Sequence, residues 1–211
     1  AKTRDLIVDV EAAMNKFDTY SAAGLLRDFA DVVTNWYVRR SRDRFWEGSA
    51  EAFDTLYTVL ETVCRVAAPL LPMVAEQVWQ GLTGGRSVHL ENWPSADEFP
   101  ADAELVAAMD QVRTVSSVAL GLRKTNFLRV RLPLGKLTVV TKDAASLKPF
   151  SEIIADELNV KQVNLVELSL DSTTEFGVIK RLNVNARAAG PRIGKTVQEA
   201  IAQAKAGNWS D

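Results

Sequence analysis

Cysteine and histidine are nearly absent from this 211-residue chain, which has one of each. With Cys64 alone, no intrachain disulfide can form and no cysteine-rich zinc cluster can assemble. His89 has no partner ligands and alternates with Val88 and Leu90, so it reads as structural and not as a metal site. No apolar run approaches the ~18–20 residues that cross a bilayer, and no membrane association is expected. Excess positive charge is missing too: 25 Lys and Arg face 27 Asp and Glu, for a net charge of −2. Composition therefore carries no nucleic-acid signal, and any such reading must rest on local clustering of cations. Asp5 and Asp9 interrupt the first residues, as in an amphipathic helix and unlike a signal peptide. The expected setting is reduced and cytoplasmic. At 47% apolar, the chain can bury one large core or two small ones.

What the sequence does have is helical periodicity that gives way to a different period. Leu6, Val10, Ala13 and Phe17 form a first stripe, and Asp18 to Ser21 offers caps for a second helix. Leu25, Phe29, Val32 and Trp36 make the second stripe, which ends before Gly48 and Ser49. A third contains Phe53, Leu56, Leu60, Val63, Cys64 and Ala67, and Pro69 should stop it. Pro72 suits the start of a short fourth helix with Val74, Val78 and Leu82; Gly84 and Gly85 release it into an extended piece from Ser87 to Trp93. Trp79 and Trp93 are expected to plug the bundle, and Glu76 to cap or pair on the fourth helix.

Trp93 to Asp102 is a connector, followed by a helix with Leu105, Met109, Val112, Ala119 and Leu122 on one side. From about Arg129 the pattern predicts a strand over Leu137–Thr141 and a helix over Leu147–Leu158. Further strands are expected from Val160 to Leu168 and from Phe176 to Val184, with a last helix over Val197–Ala204. The expected fold is mainly α: a helical bundle over residues 1–95, then a helix plus a small α+β subdomain over residues 103–211.

The most informative segment is Asn35 to Trp46, NWYVRRSRDRFW. At about 100° per residue, Asn35, Arg39, Arg42 and Trp46 share a face turned away from the Leu25–Trp36 stripe. An amide, two guanidiniums and an indole can hold phosphates and stack on an unpaired base. Arg40 and Asp43, three apart near the buried stripe, read as a structural ion pair. The plain alternative is that the run is a solvated charged face. Arg44 is a lesser candidate on the same segment. Lys124, Arg129 and Arg131 form a second basic group at a helix-to-strand junction, again with ordinary surface charge as the alternative.

Ala189 to Thr196, AGPRIGKT, fits the relaxed phosphate-loop pattern. A working loop needs a buried strand before it and an acidic strand beyond it. Asn183, Asn185 and Arg187 do not read as that strand, so a tight turn entering a helix is expected, with Arg192 and Lys195 available for a phosphate contact to RNA.

Several ordered segments carry a family resemblance. NWYVRRSRDRFW resembles the helix that follows the catalytic core of isoleucyl-tRNA synthetases. AAPLLPMVAEQVW (Ala67–Trp79) and SVHLENWP (Ser87–Pro94) are similar to segments shared by isoleucyl, valyl and leucyl enzymes. VRLPLGKLTVV, IIADELNVKQVNLVEL and AAGPRIGK resemble the α+β appendage of the isoleucyl branch without a C-terminal zinc site. The resemblance implies an anticodon-binding fragment whose partners are isoleucine tRNA and the catalytic domain of the same, monomeric, enzyme. It implies ATP with magnesium for the parent enzyme and no cofactor here, because neither the HIGH-type nor the KMSKS-type signature occurs. The rivals are the equivalent domain of a valyl or leucyl enzyme, a phosphate-loop nucleotide-binding domain, and a helical scaffold that docks protein partners.

Overall fold

The computed structural model describes residues 1–169, 174–177 and 182–208, except for the side chain of Lys195. It resolves into two compact units, Ala1–Ala107 and Ala108–Asp211. The fold is mainly α, with one small parallel sheet of two strands among the described residues.

The first unit opens with α1 (Lys2–Asn15) and α2 (Thr19–Asp31), which runs into a π-helical segment over Val32–Val38. Then come α3 (Arg42–Trp46), α4 (Ala50–Ala67) and α5 (Pro72–Thr83). Leu6, Ile7 and Val10 of α1 meet Ala22, Leu26 and Phe29 of α2, with Val33, Val66 and Ala67 completing the core. A second cluster joins Cys64, Ala68, Ala75, Trp79 and Val88. Burial, and then the charge of Glu61, push the Cys64 thiol pKa up. Pro72 starts α5 and Gly84, at φ +66°, closes it, as those residue types predict. Trp93 is partly buried against the first core, and Trp79 is buried in the second.

Several expectations fail here for identifiable reasons. Helix α1 ends at Asn15, so Phe17 lies beyond it in the turn and is 93% exposed. On α5, Val74 and Val78 face solvent while Ala75 and Trp79 face in: the stripe is one residue over, because the indole takes the buried side. Phe53 is half exposed at the start of α4. Ser87–Trp93 is not extended, since Val88–Leu90 forms a 3-10 turn. Glu76 holds that turn: its carboxylate accepts the Ser87 hydroxyl at 2.9 Å and the Val88 amide at 3.0 Å.

In α6 (Ala103–Thr125), the buried positions are Ala108, Val112, Ser116, Ala119 and Arg123. Leu105 and Leu122, expected inside, are exposed. Val112 and Ala119 lie inward as expected; the small residues Ala108 and Ser116 join them, and a search for large apolar side chains overlooks those two. Strands β1 (Leu137–Thr141) and β2 (Val163–Glu167) pair in parallel, Leu137 opposite Val163. The crossover between them is helical: α7 (Ala144–Leu147), a 3-10 turn containing Pro149, and α8 (Ser151–Leu158). The proline divides what the periodicity reads as one helix. Leu147, Ile154 and Leu158 are fully buried, and Val139 of β1 is buried as well. The chain ends in α9 (Ala186–Ile193) and α10 (Val197–Ala206). The strand expected over Phe176–Val184 lies partly outside the described residues, and those that are described there carry no strand.

Candidate nucleic-acid interface

The Asn35–Trp46 segment is held from its inner side. Tyr37 donates its hydroxyl to the Ala52 carbonyl at 3.1 Å, and Phe45 packs between Tyr37 and Phe53 with ring centroids 6.4 and 5.1 Å apart. Its outer side is where Asn35, Arg39, Arg42, Arg44 and Trp46 are all exposed, the indole by 84%. The helix is not continuous, however. A π-helical turn closes i to i+5 and so rotates less per residue than an α-helix, and a break at Ser41 separates it from α3. Stacking at 100° per residue therefore does not extend across the set. Asn35 belongs to the wide turn and Arg39 follows its end, while Arg42 and Trp46 belong to the following short helix.

Local bonds occupy part of this surface. The Asn35 amide donates to Asp31 at 2.6 Å, and Arg39 Nε donates to the Asn35 carbonyl at 2.8 Å. The Arg40 guanidinium lies over the Trp36 ring, 5.5 Å from its centroid. Arg44 approaches Glu51 at 3.6 Å, an exposed pair of small energetic weight. Gly48, at φ +74°, ends α3: its amide bonds to Phe45 O and that of Ser49 to Arg44 O, fixing the exit beside Trp46.

The second basic group is more distinctive. From Gln111 to Lys142 the chain has seven Lys and Arg and no Asp or Glu, within a protein of net charge −2. Lys124 stands in the last turn of α6, and Arg129 and Arg131 in the loop that follows; all three are exposed. Among the described residues no carboxylate pairs with any of them. The loop itself is fixed by Arg123, which is 5% exposed. Its Nη1 donates to Leu158 O at 2.9 Å, and Nη2 donates to Arg129 O and Leu132 O. A buried cation thus sits at the C-terminal end of α8, where the helix carbonyls favour positive charge. Asn159 adds a bond from its amide to Val130 O at 3.0 Å.

The sequence reading missed two residues at this junction, Arg123 in the last turn of α6 and Phe127 in the loop. Arg123 occupies a buried position on the Val112–Ser116–Ala119 face, and that spacing was the available signal. Phe127 is 94% exposed at φ +57°, and nothing in the local sequence announces it. Arg192 is exposed in the last turn of α9, while the Lys195 side chain lies outside the described residues. Ala189–Ile193 is helical, and residues 182–185 before it carry no strand, so the phosphate-loop arrangement does not form. Among the described residues no cluster of His, Cys, Asp or Glu could hold a metal ion.

Over residues 1–139 the chain matches the family described as the anticodon-binding domain of tRNA ligase. The chain belongs to that family. Within it, the chain is similar to isoleucine–tRNA ligases: 61% identical to that of Leifsonia xyli and 54% to that of Nocardia farcinica, each over 100% of the chain. The Mycobacterium tuberculosis protein of the same name is 54% identical over 99%. The chain spans 19% to 20% of the length of these relatives.

Proposed function

We propose that this chain grips the anticodon limb of isoleucine tRNA, serving an isoleucine-activating ligase whose chemistry resides elsewhere in the enzyme. The observation that carries the reading is the anticodon-binding family match over residues 1–139, in a chain 61% identical to an isoleucine–tRNA ligase. The work of such a module is recognition. Arg39, Arg42, Lys124, Arg129 and Arg131 neutralise phosphates and set register, while Asn35 and Trp46 face splayed-out bases. Arg44, Arg192 and Lys195 add further positive charge. Adenylation with ATP and magnesium, and transfer to the tRNA, belong to the catalytic domain of the same polypeptide. The enzyme acts as a monomer in the cytoplasm.

Filter binding of isoleucine and valine tRNA transcripts at moderate salt tests this. The expected result is a preference for isoleucine tRNA, with log affinity falling by roughly 0.7–0.9 per phosphate contact for each tenfold rise in salt. Equal affinity for the two tRNAs would remove the isoleucine assignment. Binding that ignores salt, or no binding at all, would remove the RNA reading.

A further inference from the structure

Phe127 is a bulky residue at a position that suits glycine. Helix α6 closes through Phe127 N to Lys124 O at 3.1 Å and Leu128 N to Arg123 O at 2.8 Å, the paired bonds of a left-handed helix stop. At φ +57° a side chain with a Cβ costs energy, and burial does not compensate, since the ring is 94% exposed. An exposed aromatic ring held at a strained position points to a use outside the fold. The loop that bears it does not need to be ordered on binding: Arg123 and Asn159 tie down the carbonyls of Arg129, Val130 and Leu132. On that loop the exposed apolar residues alternate with cations, Leu128, Arg129, Val130, Arg131, Leu132, and the surrounding sequence has no acid from Gln111 to Lys142.

We propose that the Asn126–Leu132 loop is a preformed platform for single-stranded RNA, on which the Phe127 ring stacks against an unpaired base while Lys124, Arg129 and Arg131 hold its flanking phosphates. The inference rests on the tRNA reading above and gives the second unit a contact of its own. An aromatic face accepts any base, and cations interleaved with it follow the backbone, the combination that single-strand binders use. Arg123 is buried in the clamp and Arg113 pairs with Asp110, and the five other cations of this stretch, Lys124, Arg129, Arg131, Lys136 and Lys142, are exposed and complement a polyphosphate.

Fluorescence anisotropy with an end-labelled isoleucine tRNA transcript tests the proposal in the full chain. Phe127→Ala and Phe127→Gly are expected to weaken binding by roughly 5- to 150-fold without changing its salt dependence, because stacking releases no counterions. Phe127→Trp should retain binding. Arg131→Ala should instead reduce the salt slope by about 0.7. Phe127→Gly also separates binding from folding. Glycine relieves the left-handed strain, so this variant should resist urea at least as well as the unsubstituted chain while binding less. Unchanged affinity in the glycine or alanine variant, or a loss with tryptophan as large as with glycine, would overturn the proposal while leaving the tRNA reading intact. Failure of the unsubstituted chain to bind the transcript would overturn both.

Discussion

Replacing Phe17 tests how much energy the first unit stores at the α1–α2 turn. Phe17 N bonds to Met14 O and Asp18 N to Ala13 O, both at 2.9 Å, so the turn closes α1 as a left-handed stop with φ +57° at Phe17. A residue with a Cβ pays roughly 1–2 kcal/mol there, which glycine avoids. Against that, glycine gains unfolded-state freedom worth roughly 0.4–1 kcal/mol. The ring itself contributes little: only a small part of it is covered, or about 10–20 Å² and ~0.4 kcal/mol at the usual area coefficient. Phe17→Gly and Phe17→Ala lose that small term equally and differ in the strain, which favours glycine, less the unfolded-state freedom, which opposes it. The glycine variant should therefore be about 1 kcal/mol more stable than the alanine variant, and no less stable than the parent. Urea unfolding followed by tryptophan fluorescence is suited to the measurement, since Trp36, Trp46, Trp79 and Trp93 all belong to the first unit. The difference corresponds to a shift in midpoint of about 0.5 M for a slope near 2 kcal/mol/M. Coincident midpoints for the two variants, or a lower one for glycine, would refute the claim that the turn is strained.

A Cβ on Gly85 would meet Trp79 Nε1 at 2.8 Å and Thr83 Oγ1 at 2.9 Å, and the buried indole has little room to retreat. Gly85→Ala should lower stability by about 1–3 kcal/mol, read as a lower urea midpoint; an unchanged midpoint would mean that the Trp79 cluster yields easily. Arg123→Lys replaces a fork by a single ammonium, whose donors radiate from one atom and cannot span carbonyls served by two separate guanidinium nitrogens, and should destabilise the second unit by about 2–4 kcal/mol in thermal melts followed by circular dichroism. A melt like the parent's would show that the clamp is dispensable. The Ser21 hydroxyl and then its amide hold the Asp18 carboxyl below the usual range, with Lys16 adding to the effect. A depressed folded pKa gives stability that is present above the ordinary carboxylate range and lost as pH falls through the folded value. The margin of the parent over Asp18→Ala should therefore be constant near neutrality and shrink in acid, and a pH-independent margin would contradict the cap's role.

How much of this was legible follows from which residue types carry strong local rules. Pro72 and Gly84 bound α5 where their backbone preferences require, and Leu6, Val10 and Phe29 fell in the first core as their spacing predicts, although Leu26 and Val33 and not Leu25 and Val32 complete its second stripe. Face selection was harder. On α5 and α6 the reading followed mainly the larger aliphatic residues and placed Val112 and Ala119 correctly, whereas packing also put Ala75, Ala108 and Ser116 inward, because close helix approach favours small side chains. The candidate interface was legible in local clusters of residue types but not in geometry. Arg39, Arg42 and Arg44 of the Asn35–Trp46 run are exposed, yet the π-helical segment and the break at Ser41 undo the single face expected for Asn35, Arg39, Arg42 and Trp46. No residue in Val32–Val38 signals that winding.

The two left-handed phenylalanines complete the contrast. Helix-stop rules ask for glycine at C′, so a sequence reading extends α1 through Phe17 and passes over Phe127. Both turns form because the neighbouring groups over-determine them. Asp18 caps α2 immediately after Phe17, and Arg123 gathers the carbonyls that follow Phe127. Local propensity fails at these positions, and it fails on residues whose rings are left in solvent. In the second unit the failure coincides with an acid-free run of cations, and that coincidence singles out Phe127 over Phe17 as the residue to test for RNA binding.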